Sequence, residues 1–94
     1  MEYKVLYHPD TAEDVAGIPQ NIQATIERAI KDRLLKDPSS VSQPLRRDLK
    51  GYRKLRVGDY RIIHKIQGNF IFILKIGHRK EVYDSVFSRL NWPR

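Results

Sequence analysis

Three consecutive strand-like runs constrain the fold of this chain more than any other sequence feature. The runs cover residues 52–57, 60–66 and 70–76. Gly58-Asp59 and Gly68-Asn69 separate them, and two-residue loops that contain glycine favour tight hairpins because glycine adopts positive φ cheaply. The sequence therefore predicts a three-stranded antiparallel meander. The third run is apolar at consecutive positions, which predicts a central strand covered on both faces.

The part of the chain before the meander predicts one strand and two helices. Residues 3–7 alternate in the pattern of a strand, and a short helix is expected between Pro9 and Gly17. A longer helix is expected before Pro38, because apolar residues recur at helical spacing. These residues are Ile22, Ile26, Ala29, Ile30 and Leu34. Residues 38–51 contain two prolines and three serines, so this segment is expected to be a loop.

Helical spacing returns after Gly77, at Val82, Val86 and Leu90. The predicted architecture is a single α+β domain over residues 1–94, with an N-terminal strand, a two-helix hairpin, the antiparallel meander and a short C-terminal helix. The longer helix is expected to pack on one face of the sheet.

The composition indicates a basic protein that attracts polyanions. The chain of 94 residues has 18 Lys and Arg against 11 Asp and Glu, and its formal net charge is +7. It has no cysteine, which excludes disulfides and thiolate metal sites. No apolar run approaches the length of a membrane span and no secretory signal is apparent, so a cytoplasmic location without membrane contact is expected.

The hairpin around Gly58-Asp59 gathers positive charge on one face. With a two-residue loop, Arg56 lies opposite Arg61, and Lys54 shares their face, which Lys65 extends. Like charges in opposed positions destabilise a sheet by roughly 0.2–1 kcal/mol, so stability does not explain the arrangement. Two explanations are open: a phosphate bound between the cations, or a solvated face whose charges are screened by salt.

The end of the third strand carries further groups that suit chemistry. The imidazole of His78 suits proton transfer, and Tyr83 has a ring that stacks on bases and a hydroxyl that transfers protons. Each also has a plain structural explanation, since His78 suits a cap of the exit turn and Tyr83 suits a helix packed by its ring. His8 and His64 are isolated, and three histidines without spaced partners do not predict a metal site.

Two segments resemble a known family. "LKGYRKLRVGDYRIIHKI" and "FIFILKIGHRKEVY" contain the elements Leu-x-x-Gly-Asp-Tyr-Arg and Gly-His-Arg-x-x-Val-Tyr, in that order. They resemble the RelE/ParE superfamily of bacterial and archaeal toxins, and most closely its RelE branch. The predicted order of strands and helices fits that superfamily along nearly the whole chain.

The resemblance implies a metal-independent mRNA endonuclease that needs no cofactor. RelE-branch toxins cut the codon in the A site of translating ribosomes, and a cognate acidic antitoxin of the RelB type blocks them. Carried over by motif, the catalytic positions fall on Lys54, Arg61, Arg79 and Tyr83, and His78 is a further candidate. Arg61 and Arg79 would stabilise the transition state, while Lys54 or Tyr83 would take the proton from the 2′-OH. His78, Arg79 or Tyr83 would protonate the leaving oxygen.

A wider set of basic residues is expected to contact mRNA or ribosomal RNA. This set is Lys31, Arg33, Arg46, Arg47, Lys50, Arg53, Arg56 and Lys80. Three alternatives remain: a ParE-like inhibitor of DNA gyrase without nuclease activity, a non-catalytic basic RNA-binding module, and an inactive toxin. The last rests on Tyr52, which stands where the best-known RelE members have a lysine.

Overall fold

The fold, seen in a computed structural model that describes residues 2–93, is a five-stranded mixed sheet with helices on one face. The strands are β1 (Lys4–Tyr7), β2 (Gln43–Pro44), β3 (Arg53–Val57), β4 (Tyr60–Gln67) and β5 (Phe70–His78). The helices are α1 (Thr11–Ala16), α2 (Gln20–Ala29) and α3 (Pro38–Val41). A π-helical turn (Ile30–Leu34) follows α2, and two 3-10 helices span Arg47–Leu49 and Val86–Arg89.

The predicted meander is confirmed, and with it the predicted register. β3, β4 and β5 are antiparallel neighbours, and Arg56 lies opposite Arg61 across the β3–β4 hairpin. Gly58 and Gly68 have φ of 59° and 60°, which is the conformation that these tight turns require. β5 lies between β1 and β4, so it is a central strand as predicted.

The N-terminal strand pairs with β5 in parallel, a contact that no local sequence pattern predicted. Residues Lys4–Tyr7 align with Phe70–Ile73. A parallel partner requires a crossover connection, and the helices between β1 and the meander supply part of it. β1 ends at Tyr7, so β5 has no strand partner on that side beyond Ile73.

The main core lies between α2 and the sheet. Its helical side chains are the predicted Ile26, Ala29, Ile30 and Leu34, all buried. The sheet contributes the buried side chains Leu55, Val57, Ile62, Ile71, Ile73 and Ile76. The side chains of β4 alternate between the two faces. On the second face, a smaller cluster consists of Ile63, Val82 and Val86, with Leu45, Leu49 and Tyr83 packed against it.

Two segments differ from the prediction. Pro38 begins the short helix α3, so residues 38–51 are more regular than the predicted loop. The C-terminal helix is a 3-10 helix limited to Val86–Arg89 and preceded by turns. Val82 and Val86 are fully buried, as their spacing indicated, but Ser85 has φ of 66°, which interrupts a right-handed helix.

Within residues 2–93, the helices are all too short or too polar to cross a membrane.

Candidate functional site

The strongest concentration of positive charge lines a cleft at the hairpin end of the second face. Lys54, Arg56 and Arg61 contribute side chains to this cleft, as the predicted register required. Arg33 from the π-helical turn and Gln43 from β2 complete its polar lining, with Val41 beside them. The cleft has a volume of about 170 Å³. We call it the cationic cleft.

The cationic cleft contains no carboxylate among the residues that line it. Arg61 is held in place, because its Nη1 donates hydrogen bonds to the carbonyl oxygens of Gly58 (3.1 Å) and Tyr60 (3.0 Å). In the part of the chain that the structure describes, the five ion pairs involve none of its cations. Their mutual repulsion is therefore relieved only by solvent, by salt or by a bound anion.

Arg79 lies beside the hairpin turn that holds Arg61. Its backbone N–H donates to the carbonyl oxygen of Asp59 at 2.7 Å, which fastens the end of β5 to the turn. Its Nε lies 3.7 Å from Asp59 Oδ1, and both side chains are mostly exposed. Such a pair is weak, so the guanidinium of Arg79 is available to a stronger anion.

His78 organises the turn that carries Arg79. Its carbonyl oxygen accepts hydrogen bonds from the N–H groups of Glu81 (2.9 Å) and Val82 (2.8 Å), and its Nδ1 accepts one from Lys80 N–H at 3.2 Å. Its ring meets Tyr60 edge-on, with centroids 5.6 Å apart. The capping role foreseen for His78 is therefore present. Because His78 is the register partner of Tyr60, its ring lies on the helical face of the sheet, opposite the face of Arg61 and the cationic cleft.

Tyr83 is half-buried and packs against the smaller cluster of the second face. One member of that cluster, Ile63, is the register partner of Lys54 and lies two residues beyond Arg61 on β4. The contacts thus place Tyr83 on the same face as the cationic cleft. Its ring has the ordinary packing role that the sequence also allowed.

Other predicted contact residues are spread over the surface. Arg46, Arg47, Lys50 and Lys80 are exposed, outside the cationic cleft. Lys31 forms an exposed ion pair with Glu27 at 2.9 Å. Lys65, expected to extend the charged face, has its Nζ 5.9 Å from the ring centroid of Tyr52 and 5.5 Å from that of Phe72.

Arg53 has a structural role in the fold, and its expected contact with RNA stays a prediction. Its Nε donates to Ser42 Oγ (2.8 Å), and its Nη2 donates to the carbonyl oxygens of Ser39 (3.0 Å) and Ser42 (2.8 Å). These bonds occupy most of the guanidinium donors and hold α3 against β3. The reason is the period of the strand, because Arg53 points to the face opposite that of Lys54.

Two residues of the cationic cleft were not predicted there from the sequence. Gln43 was not among the candidate site residues, and Arg33 was expected only as a general RNA contact. Gln43 pairs with Lys54 through a strand of only two residues, which is too short to leave a periodic pattern. Among residues 2–93, no group of three or more His, Cys, Asp or Glu side chains is placed to hold a metal ion.

Comparisons with known proteins identify the family. The family model described as "ParE toxin of type II toxin-antitoxin system, parDE" matches residues 5–83. The toxin RelG of Mycobacterium tuberculosis is 31% identical over 85 residues, which cover 88% of this chain and 98% of RelG. The toxin RelE of the same organism is 31% identical over 83 residues, covering 86% of each chain.

A solved structure supports the same assignment. A chain in the crystal structure of the toxin–antitoxin complex RelBE2 from Mycobacterium tuberculosis superposes with a TM-score of 0.79 and 30% identity, covering 84% of this chain and 100% of that chain. The chain described here belongs to the RelE/ParE superfamily of toxins of type II toxin–antitoxin systems.

Proposed function

We propose that this toxin is a metal-independent mRNA endonuclease that cleaves the A-site codon on translating ribosomes. The observation that carries the proposal is the convergence of Lys54, Arg56 and Arg61 on one cleft that no carboxylate lines. Arg79 adds a further cation at the adjoining turn. Its relatives among curated proteins are toxins named RelE and RelG, which favours the RelE branch.

The reaction begins with the 2′-OH of the substrate, which RNA has and DNA lacks. The 2′-oxygen attacks the adjacent phosphorus and loses its proton to a base on the protein, for which Lys54 and Tyr83 are the candidates. The P–O5′ bond then breaks, and the leaving 5′-oxygen takes a proton from Arg79 or Tyr83. The products are a 2′,3′-cyclic phosphate and a 5′-hydroxyl, so atoms and charge balance without a further reactant.

The main contribution of the protein is electrostatic. Negative charge builds up on the non-bridging oxygens as the 2′-oxygen bonds to phosphorus, and fixed cations stabilise that charge. Arg61 suits this role because two carbonyl oxygens already hold its guanidinium in position. An arginine that is fixed in advance loses little side-chain entropy when it binds the phosphate.

The ribosome and an antitoxin are the proposed partners. Exposed basic residues outside the cleft, among them Arg46, Arg47 and Lys50, would bind ribosomal RNA phosphates. An acidic antitoxin of the RelB type would cover the positive surface. This proposal is supported by the charge of +7 and by the likeness to a chain from a toxin–antitoxin complex.

The test is controlled expression of the wild type, Arg61→Ala and Arg79→Ala, with growth curves and mapping of transcript 5′ ends. The wild type is expected to arrest growth and to produce cuts at positions that correspond to the A site. Loss of one charge-stabilising donor typically lowers such a rate by about 10²–10³-fold, so each variant should relieve the arrest. Growth arrest with intact mRNA would contradict the proposal.

One observation favours a second candidate function, inhibition of DNA gyrase. The matching family model is that of the ParE toxin, and ParE-like proteins of this superfamily act on gyrase. A supercoiling assay with purified gyrase separates the two functions. Inhibition by both the wild type and Arg61→Ala, without mRNA cuts, would favour the gyrase function.

A further inference from the structure

The cationic cleft receives one arginine from the helical layer, although its other cations come from the sheet. Arg33 belongs to the π-helical turn that follows α2. It has no place in the catalytic set that the family resemblance implies, and the sequence suggested only a general contact with ribosomal RNA. Its position beside Lys54, Arg56 and Arg61 therefore calls for a separate explanation.

The edge of the sheet explains how Arg33 reaches the cleft. β2 pairs only with Arg53 and Lys54, so the outer edge of β3 is unpaired from Leu55 to Val57. Arg33 also borders Val57 on the helical side of this edge. The arginine thus stands at the open edge, where a residue of the helical layer can join the lining of the second face.

The backbone of the π-helical turn contributes to this position. The N–H of Leu35 donates to the carbonyl oxygen of Ile30 at 2.9 Å, an i to i+5 bond in place of the i to i+4 bond of an α-helix. A π-helical turn is wider than an α-helical turn. The side chains within it, including that of Arg33, are therefore rotated about the helix axis. Such π-helical turns often occur at functional sites because they redirect a side chain without ending the helix.

The charge of the cleft exceeds what one phosphodiester neutralises. Four cations line it, whereas a phosphodiester carries a single negative charge. Asp32, the chain neighbour of Arg33, borders the adjacent surface and does not line the cleft. Within residues 2–93, the ion pairs include no contact between Asp32 and Arg33. A second, consecutive phosphate of an RNA backbone neutralises part of this excess of charge.

We propose that Arg33, assisted by Gln43, binds the phosphodiester next to the one that is cleaved. The inference rests on the proposed nuclease function, because Lys54 and Arg61 then hold the scissile phosphate. Arg33 approaches from the helical side of the β3 edge, whereas Arg61 approaches from β4. Arg33 is then a substrate-binding residue that fixes the path of the RNA through the cleft.

The first experiment measures binding of a 2′-O-methyl RNA trinucleotide, which has two phosphodiesters and cannot be cleaved by 2′-OH attack. Arg33→Ala is compared with Arg28→Ala, a matched control that removes an exposed arginine of α2 outside the cleft. For single strands, the slope of log K against log salt is negative, and each lost phosphate contact reduces its magnitude by about 0.7. We expect that decrease, and about tenfold weaker binding, for Arg33→Ala only.

The second experiment measures cleavage on programmed ribosomes. Arg33→Ala is expected to raise KM with kcat nearly unchanged, whereas Arg61→Ala lowers kcat. Arg33→Lys, which keeps the charge, should restore the salt slope. Arg33 is exposed, so Arg33→Ala is expected to fold as the wild type does, and a thermal melt checks this.

The outcomes separate the two proposals. Equal salt slopes and equal KM values for Arg33→Ala and Arg28→Ala would overturn the role of Arg33, whatever the activity of the wild type. Absence of cleavage by the wild type would overturn the nuclease function, while the trinucleotide binding would still report on Arg33.

Discussion

Arginines at the two edges of the sheet have opposite surroundings. Beyond Ile73, β5 has no strand partner on the β1 side, and Arg89 and Asp14 occupy that edge. Arg89 Nη1 and Nη2 donate to the two carboxylate oxygens of Asp14 at 2.6 and 3.0 Å, and Nη1 also donates to the carbonyl oxygen of Leu74 at 3.0 Å. Asp14 in turn accepts the N–H of Ile76 at 3.1 Å.

The cationic cleft at the edge of β3 is lined by arginines but by no carboxylate. The Arg89 and Asp14 side chains are 11% and 10% exposed, so their charges are compensated inside the protein. The cationic cleft leaves the charges of Arg33 and Arg56 without an ion pair in the described part of the chain. The difference teaches that a nearly buried carboxylate partner makes Arg89 part of the fold, whereas Arg33 and Arg56 keep their charges exposed.

The largest expected effect comes from breaking the compensated pair. Asp14→Asn leaves the charge of Arg89 unpaired in a nearly buried position, which typically costs about 3–5 kcal/mol. Urea unfolding should show that loss. Asp10→Asn is the control, because Asp10 lies 4.0 Å from Arg89 Nε and is mostly exposed, so it should cost less than about 1 kcal/mol. Equal losses in the two variants would contradict the comparison.

His64 tests a third arrangement, a buried nitrogen base without a charged partner. Its Nδ1 lies 2.9 Å from the carbonyl oxygen of Ile62, and no partner is seen for its Nε2 among residues 2–93. Burial lowers the pKa of His64 from 6.5 to about 4. Between those pH values His64 binds a proton in the unfolded chain but stays neutral in the folded chain. The free energy of unfolding therefore falls as the pH falls.

The expected loss is about 1.4 kcal/mol per pH unit and about 3 kcal/mol in total between pH 6.5 and 4. Below pH 4 this loss of stability increases no further, and above pH 6.5 there is no loss. Urea unfolding at several pH values should show that His64→Leu lacks this component, whereas the control His78→Gln retains it. An unchanged pH dependence in His64→Leu would show that its protonation is not linked to folding.

A smaller effect is expected when a carboxylate is added to the cationic cleft. Gln43→Glu places an acid opposite Lys54 and should raise stability by about 0.2–1 kcal/mol. It should also repel the RNA phosphate and lower cleavage by about tenfold. Gln67→Glu, at the far end of β4, is the control with the same charge. Equal activities of the two variants would show that the cleft does not bind RNA.

The smallest effect is expected from Asp59→Asn, which frees Arg79 from its exposed partner. Surface pairs contribute at most about 1 kcal/mol, so stability should change little and cleavage should rise by no more than about fivefold. Asn suits this turn, since Gly68-Asn69 forms the second hairpin of the same sheet. Reduced cleavage would show that Asp59 orients Arg79 instead of competing for it.

Local patterns were sufficient for the meander and for half of the cleft. The two-residue loop at Gly58-Asp59 determines that Arg56 faces Arg61, and strand alternation then adds Lys54 to their face. The same register brings Gly77 opposite Arg61, so that Arg79 follows close to the turn. The roles of Lys54, Arg61, Arg79, Tyr83 and His78 in catalysis came from the family resemblance and stay predictions.

Local sequence patterns could not predict the contacts between segments that are far apart in the chain. Asp14 and Arg89 are 75 residues apart, and nothing near either residue indicates the other. The expected C-terminal helix is present only as a short 3-10 helix for a related reason, because spacing shows which residues are buried and not which backbone conformation buries them. Ser85 takes a left-handed conformation there.

The sequence by itself determined the strand register, the apolar faces and the excess of positive charge, because turn length and side-chain period act over a few residues. Only the tertiary structure decided which charges are compensated. Arg89 meets Asp14 and Arg33 joins the cationic cleft because the helical layer is packed across the sheet, and that packing depends on the whole core.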